Sequence, residues 1–294
     1  VTIVAAWGPH HDDPGPVELA CQLGRADQRR VDVLTVVPEG WASPLSHGAD
    51  HEYLEWVAEA GRGAVAEINE YLRRHPDVRS RADWVSARSV PQEVLARVEE
   101  GDAGLLVVGS GEDVAHGRLG ITSKTDRLLH SSPVPVAIAP RGYRAPPGAR
   151  VERVSVAFRG DDATWSLLDR VATIARRSGA RLRVLTFAIR GRTMYPPRVS
   201  GAEDIVLEQW LAQAREQQRQ AREHLLGIGF TDDTLELEVA VARSWAGVMN
   251  VLEWRRTEIL VVGSSSTHRL SAVFLGSSAA KIVRHSPVPV VVVP

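Results

Sequence analysis

The feature that most restricts this chain is a long internal repeat. Leu105 to Gly111 reads LLVVGSG and Ile259 to Ser265 reads ILVVGSS; His130 to Pro140 reads HSSPVPVAIAP and Arg284 to Pro294 reads RHSPVPVVVVP. Gly109 to Gly263 and Pro133 to Pro287 are both 154 positions apart, so no insertion separates the two anchors. A third pair, Ala87-Arg88-Ser89 and Ala242-Arg243-Ser244, lies 155 apart. A unit of that length can bury its own core, so the repeat is a duplicated domain and not a solenoid module. The Pro- and Gly-containing stretch 141–150, RGYRAPPGAR, serves as the linker. The expected domains are 1–141 and 151–294.

Each copy alternates β-rich runs with amphipathic helices. In the second copy the strands read VERVSVAF, RLRVLTFAI, LELEVAV, EILVVG and PVVVV, with helices starting near Asp162, Ala202, Trp245 and Gly276. In the first they read VTIVAAW, VDVLTVV, ADWVSA, GLLVVG and VPVAIA. Leu207, Leu211, Ala214, Gln218, Ala221 and Leu225 give a charged helix one mostly apolar face. Near-continuous apolar strands between helices predict a parallel sheet covered on both sides. The expected fold is therefore α/β, with two doubly wound, Rossmann-like domains in tandem. Pro135 and Pro289 cannot donate to a ladder, which places the last strand of each copy at an edge open to another copy.

Composition excludes several functions. Lys plus Arg number 35 against 36 Asp plus Glu, a balance with no field for nucleic acid or an anionic membrane. No apolar run reaches the ~20 residues of a membrane span, and Val1 to Asp13 lacks the basic region of a signal peptide. The single cysteine, Cys21, reads as a core thiol and fits a reducing, cytoplasmic address. Pro9 to Pro14, PHHDDP, reads as helix capping by Asp13 with Pro14 at the first helical position. No metal is needed for the fold.

The longest connection follows the fourth strand of the second copy. Gly263 lets the chain turn off the strand, and Gly276-Ser277-Ser278 offers amides and hydroxyls at a helix start where the dipole favours an anion. Main-chain amides around this turn are expected to converge on one negative group. Arg88 and Arg243 follow the third strands; each is read either as a phosphate clamp or as an arginine paired with a loop carboxylate. His268 in the loop reads as exposed. There is no P-loop lysine and no G-x-S-x-G elbow.

Gly263-x-x-Ser266, nine residues, Gly276-Ser277 and the closing RHSPVPVVVV resemble the G-x-x-G-x(9)-G-[S/T] pattern and last strand of universal stress proteins, in both copies. The resemblance implies ATP or another adenine nucleotide in the second domain, held by Gly263, Ser264, Ser266, Gly276, Ser277 and Ser278, to which the position of Arg243 after the third strand adds a candidate phosphate clamp. It also implies an intramolecular pseudo-dimer through the last strands, with a homodimer of whole chains as the further option. Ser266 replaces the second motif glycine. The aspartate common after the first strand is Arg159 in the second copy and is matched to Trp7 in the first. In the first copy the motif glycines become Glu112 and Thr122, so tight ATP binding is not expected there. The role implied is binding and regulatory, with at most slow ATP hydrolysis; the alternative is a nucleotide-independent interaction scaffold. A hydrolase or ligase on this fold would need an SGGxDS loop, which is absent.

Overall fold

The computed structural model describes residues 2–8, 13–39, 49–189, 202–264 and 276–294. The first half runs β1 (Thr2–Trp7), α1 (Gly15–Asp27), β2 (Arg30–Pro38), α2 (Ala49–Leu72), β3 (Ser80–Ala87), α3 (Val90–Glu100), β4 (Ala103–Val108), α4 (Ser123–Ser131) and β5 (Val136–Ile138). The second half repeats the order with β6 (Arg153–Ala157), α5 (Asp162–Ser178), β7 (Arg181–Ile189), α6 (Ala202–Gly227), β8 (Leu235–Ala242), α7 (Trp245–Val251), β9 (Glu258–Gly263), α8 (Ser277–His285) and β10 (Val290–Val293). The helix starts expected near Asp162, Ala202, Trp245 and Gly276 therefore fall in place.

One ten-stranded sheet carries both halves, in the order β3-β2-β1-β4-β5-β10-β9-β6-β7-β8. Within each half all pairs are parallel; the seam between β5 and β10 is antiparallel, with Val291 opposite Ala137. Pro135 and Pro289 precede these strands and spend their carbonyls on Leu106 and Leu260. The last strands are thus edges only of their own halves, and each closes the other's edge.

Strand alternation sends successive apolar residues to opposite faces. Ile3, Ala5 and Trp7 join one core with α1, α2, α5 and α6, while Val4, Leu106 and Leu260 join another with α3, α4, α7 and α8. Both cores cross the seam. On α6 the buried stripe is Ala214, Gln218, Ala221 and Leu225, with Leu207 and Leu211 part-buried. Gln218 tolerates burial because its amide donates to the carbonyls of Val184 and Glu238 and to Thr186 Oγ1.

Cys21 is fully buried on α1, and burial pushes its thiol up to about 12. A thiol held protonated is a poor nucleophile. A thiol reagent is expected to leave the native protein unmodified and to titrate one thiol per chain in denaturant; rapid reaction before unfolding would contradict the core assignment.

The capping expectation at Asp13 needs correction. Pro14 itself occupies the N-cap and Gly15 begins the helix. Asp13 stands one residue earlier, where Oδ1 accepts from the Gly15 amide at 2.8 Å and Oδ2 from the Gly142 amide at 3.0 Å. It ties the start of α1 to the linker without being the helix cap. In the second half Asp161 does cap α5, accepting from Thr164 N at 2.9 Å. His10, His11 and Asp12 lie outside the described residues.

Candidate functional site

In each half the winding reverses between the first and fourth strands, β1 and β4 or β6 and β9. Ligands of such sheets bind beyond the carboxyl ends of the strands at that reversal. In the second half the reversal is bordered by Phe158 to Asp161 after β6, by Gly263 and Ser264 at the end of β9, and by Gly276 to Ser278 at the start of α8. Ser266 and His268 lie outside the described residues.

The start of α8 is uncapped by its own N-cap residue. Gly276 is its N-cap, with no side-chain cap, so the first-turn amides retain the capacity that a Ser or Thr cap would consume. The equivalent residue of the first half, Thr122, caps α4 with its own hydroxyl, which accepts from Thr125 N at 3.1 Å. Thr122, which stands where the motif has glycine, thus occupies a first-turn helix amide itself.

The β9 turn corrects one expectation. The Ser264 amide donates to Val293 O at 2.8 Å, continuing the β9–β10 ladder, so it is directed into the sheet and away from any ligand. Ser264 retains its hydroxyl. A Cβ on Gly263 would meet Leu167 Cδ2 at 3.5 Å, an ordinary contact, so this glycine is not demanded by packing against the described residues.

Arg243 is exposed after β8, the outermost strand, with β7 and β6 between it and β9. At ~4.8 Å per strand that separation is about 14 Å, beyond the reach of one arginine, so the structure does not bring Arg243 to the Gly263 turn. Arg88, its counterpart, is exposed and stands 3.7 Å from Glu39, the carboxylate-paired alternative.

Sheet register also corrects the matching of the first strands. Thr2 pairs with Arg30 and Arg153 with Arg181, which makes Trp7 the counterpart of Phe158 and Gly8 that of Arg159. Trp7 and Phe158 are both buried against aromatic rings, Tyr71 and Trp165 respectively. Arg159 turns onto Asp161 at 2.7 Å. Sequence reasoning missed Gly160 between them. Its φ of +83° calls for glycine at the β6–α5 turn, and the Gln217 side chain lies where a Cβ would stand.

The first-half reversal is filled by the chain. Ser110 is buried, donating to Ala139 O at 2.7 Å and accepting from Gly120 N at 3.1 Å. Arg141 donates from Nη1 to the carbonyls of Glu112 and Val114, while its backbone pairs with Gly117 and Arg118. The start of the linker therefore clamps the loop after β4. Among the described residues no group of three or more His, Cys, Asp or Glu could hold a metal ion, and no helix is long and apolar enough to cross a membrane.

Two doubly wound domains, fused through their fifth strands and carrying a glycine-capped helix start at one reversal, define a tandem Rossmann-like α/β protein. The model of the Universal stress protein family matches residues 2–140 and again 150–294, and the chain belongs to that family. It is 38% identical over 296 residues to a universal stress protein of Mycobacterium tuberculosis, covering all of both chains. A universal stress protein structure from Archaeoglobus fulgidus superposes with a TM-score of 0.66 at 16% identity, over 99% of this chain and 97% of that one. A universal stress protein solved in complex with cAMP matches 49% of this chain and 97% of that one, at 24% identity and a TM-score of 0.34.

Proposed function

We propose that the second half binds ATP or a related adenine nucleotide at the β6–β9 reversal, and that the chain acts as a binding and regulatory module without catalytic turnover. The observation that carries this reading is the asymmetry of two equivalent helix starts: Gly276 leaves α8 without a side-chain cap, whereas Thr122 caps α4. Phosphate oxygens would take the α8 amides and the hydroxyls of Ser277, Ser278 and Ser264; Gly263 and Ser266 belong to the same turn by sequence. Arg243 is left out. The first half, with Arg141 and Ser110 in place, binds no nucleotide in this reading. A cytoplasmic address is supported by the one unpaired cysteine. A homodimer of whole chains would need a surface other than the β5 and β10 edges, which are consumed within the chain.

Titration calorimetry with ATP tests the proposal. One site per chain is expected, with binding weakened about 100-fold, roughly 2.7 kcal/mol, in Gly276→Leu, and with ATP raising the thermal midpoint of the parent alone. Silence in both measurements would favour the nucleotide-independent scaffold, for which the spent Ser264 amide and the Arg159–Asp161 pair already speak. ATP turnover above that of Gly276→Leu would overturn the purely binding role.

A further inference from the structure

At the opposite end of the second half, the amino edge of its sheet, an open groove of about 720 Å³ lies between the linker turn 146–149, the end of α5 and the starts of β7 and β9. That volume is within the range of small-molecule sites. Three arginines, Arg150, Arg181 and Arg255, are among its lining residues, against one acidic residue, Glu152.

The cations are under-compensated. Arg181 Nη1 and Arg255 Nη2 stand 3.7 and 3.4 Å from the same oxygen of Glu236, long for charge-assisted contacts. The other oxygen of Glu236 is held by the buried Arg153 at 2.7 Å. Glu236 thus serves Arg181 and Arg255 together while also holding Arg153, which has Glu258 as a second partner. Arg150, on the linker wall, is exposed and has no ion pair among the described residues. The wall is preformed: the Ala149 amide closes a turn onto Pro146 O with Gly148 at φ +70°, and Arg25 Nη1 pins Ala149 O at 2.9 Å. Such preorganisation lowers the ordering cost of binding.

We infer that this groove is a second ligand site, for a small-molecule diphosphate engaged by Arg150, Arg181 and Arg255. It is separate from the β6–β9 reversal, because β9 runs its full length from Glu258 to Gly263 between the two.

Inorganic pyrophosphate, titrated into the full chain by calorimetry at low ionic strength, is the probe. One site is expected, weakened about tenfold in Arg181→Gln/Arg255→Gln, weakened about threefold in Arg150→Gln and strengthened about threefold in Glu152→Gln. Arg150 at the end of the linker and Glu152 just before β6 are both exposed, so their opposite shifts remain readable if the double variant folds poorly. Gly276→Leu should leave pyrophosphate binding unchanged, which separates this site from the nucleotide proposal. Absence of binding, equal binding of sulfate, indifference to the Arg150 and Glu152 changes, or loss in Gly276→Leu would each overturn the inference.

Discussion

Glu258→Ala is expected to cost about 3–5 kcal/mol of stability, because it removes the acceptor shared by two buried arginines. Glu258 is fully buried at the start of β9. Its Oε2 accepts from Arg153 Nη2 at 2.6 Å and the Arg255 amide at 3.0 Å, and its Oε1 from Arg183 Nη2 at 2.6 Å and Ser155 Oγ at 2.5 Å. Arg153 and Arg183 have side chains only 4% and 2% exposed, so neither can turn to water without rearrangement. Burial, helped by the neighbouring Arg153, pulls the Arg183 guanidinium below its usual pKa although Glu258 opposes the shift. Both arginines also donate to Glu253 O, and Trp254 stacks over Arg183 at 4.8 Å, so the loss extends to the segment joining α7 to β9. Urea unfolding of Glu258→Ala, with Glu258→Gln as the milder companion, measures the effect. The combined Arg153→Met, Arg183→Met, Glu258→Leu chain should recover most of the loss, since apolar replacement of a whole buried ion cluster is often neutral. A loss under about 1 kcal/mol for Glu258→Ala would show the cluster to be accessible to water.

That cluster marks where the sequence stops being legible. The alternation in RLRV and LELE gave the strands correctly, and period-two spacing already put Arg181 with Arg183 and Glu236 with Glu238 on single faces. Charges in alternation suit a solvent face, and Arg181 and Glu238 are indeed half-exposed, yet Arg183 lies buried under the segment joining α7 to β9. The reason is that α7 has only seven residues, and the chain that follows covers the sheet with backbone carbonyls in place of a helix face. The duplicated fold was legible because length, spacing and apolar periodicity all survive without tertiary information. The site was legible only in part. Glycine and serine spacing located the helix start at Gly276, but the direction of the Ser264 amide depends on the β9–β10 ladder. The distance of Arg243 depends on strand order, and the second contact of Asp13 depends on the path of the linker. None of these is encoded by neighbours in the chain.

The fused sheet makes the seam the place where one substitution should affect the whole molecule, and Val291→Asp is expected to destabilise both halves together by roughly 4 kcal/mol or more. Val291 faces the core containing α1, α2, α5 and α6, opposite Ala137 of the other half, where a carboxylate would meet apolar neighbours on both sides of the seam. Val17 and Leu19 of α1 share that core with Leu167 and Leu168 of α5, so loosening either half uncovers apolar surface of the other. Each half alone could bury only the part of this surface that its own helices cover. The parent should therefore unfold in one transition, with the amides of Val4 in β1 and Val156 in β6 exchanging hydrogen through the same global opening. In Val291→Asp both amides should lose protection by the same factor. If Val156 were to lose protection while Val4 kept its own, the halves would be separate folding units that merely share a strand edge, and the shared core would contribute little to their cooperation.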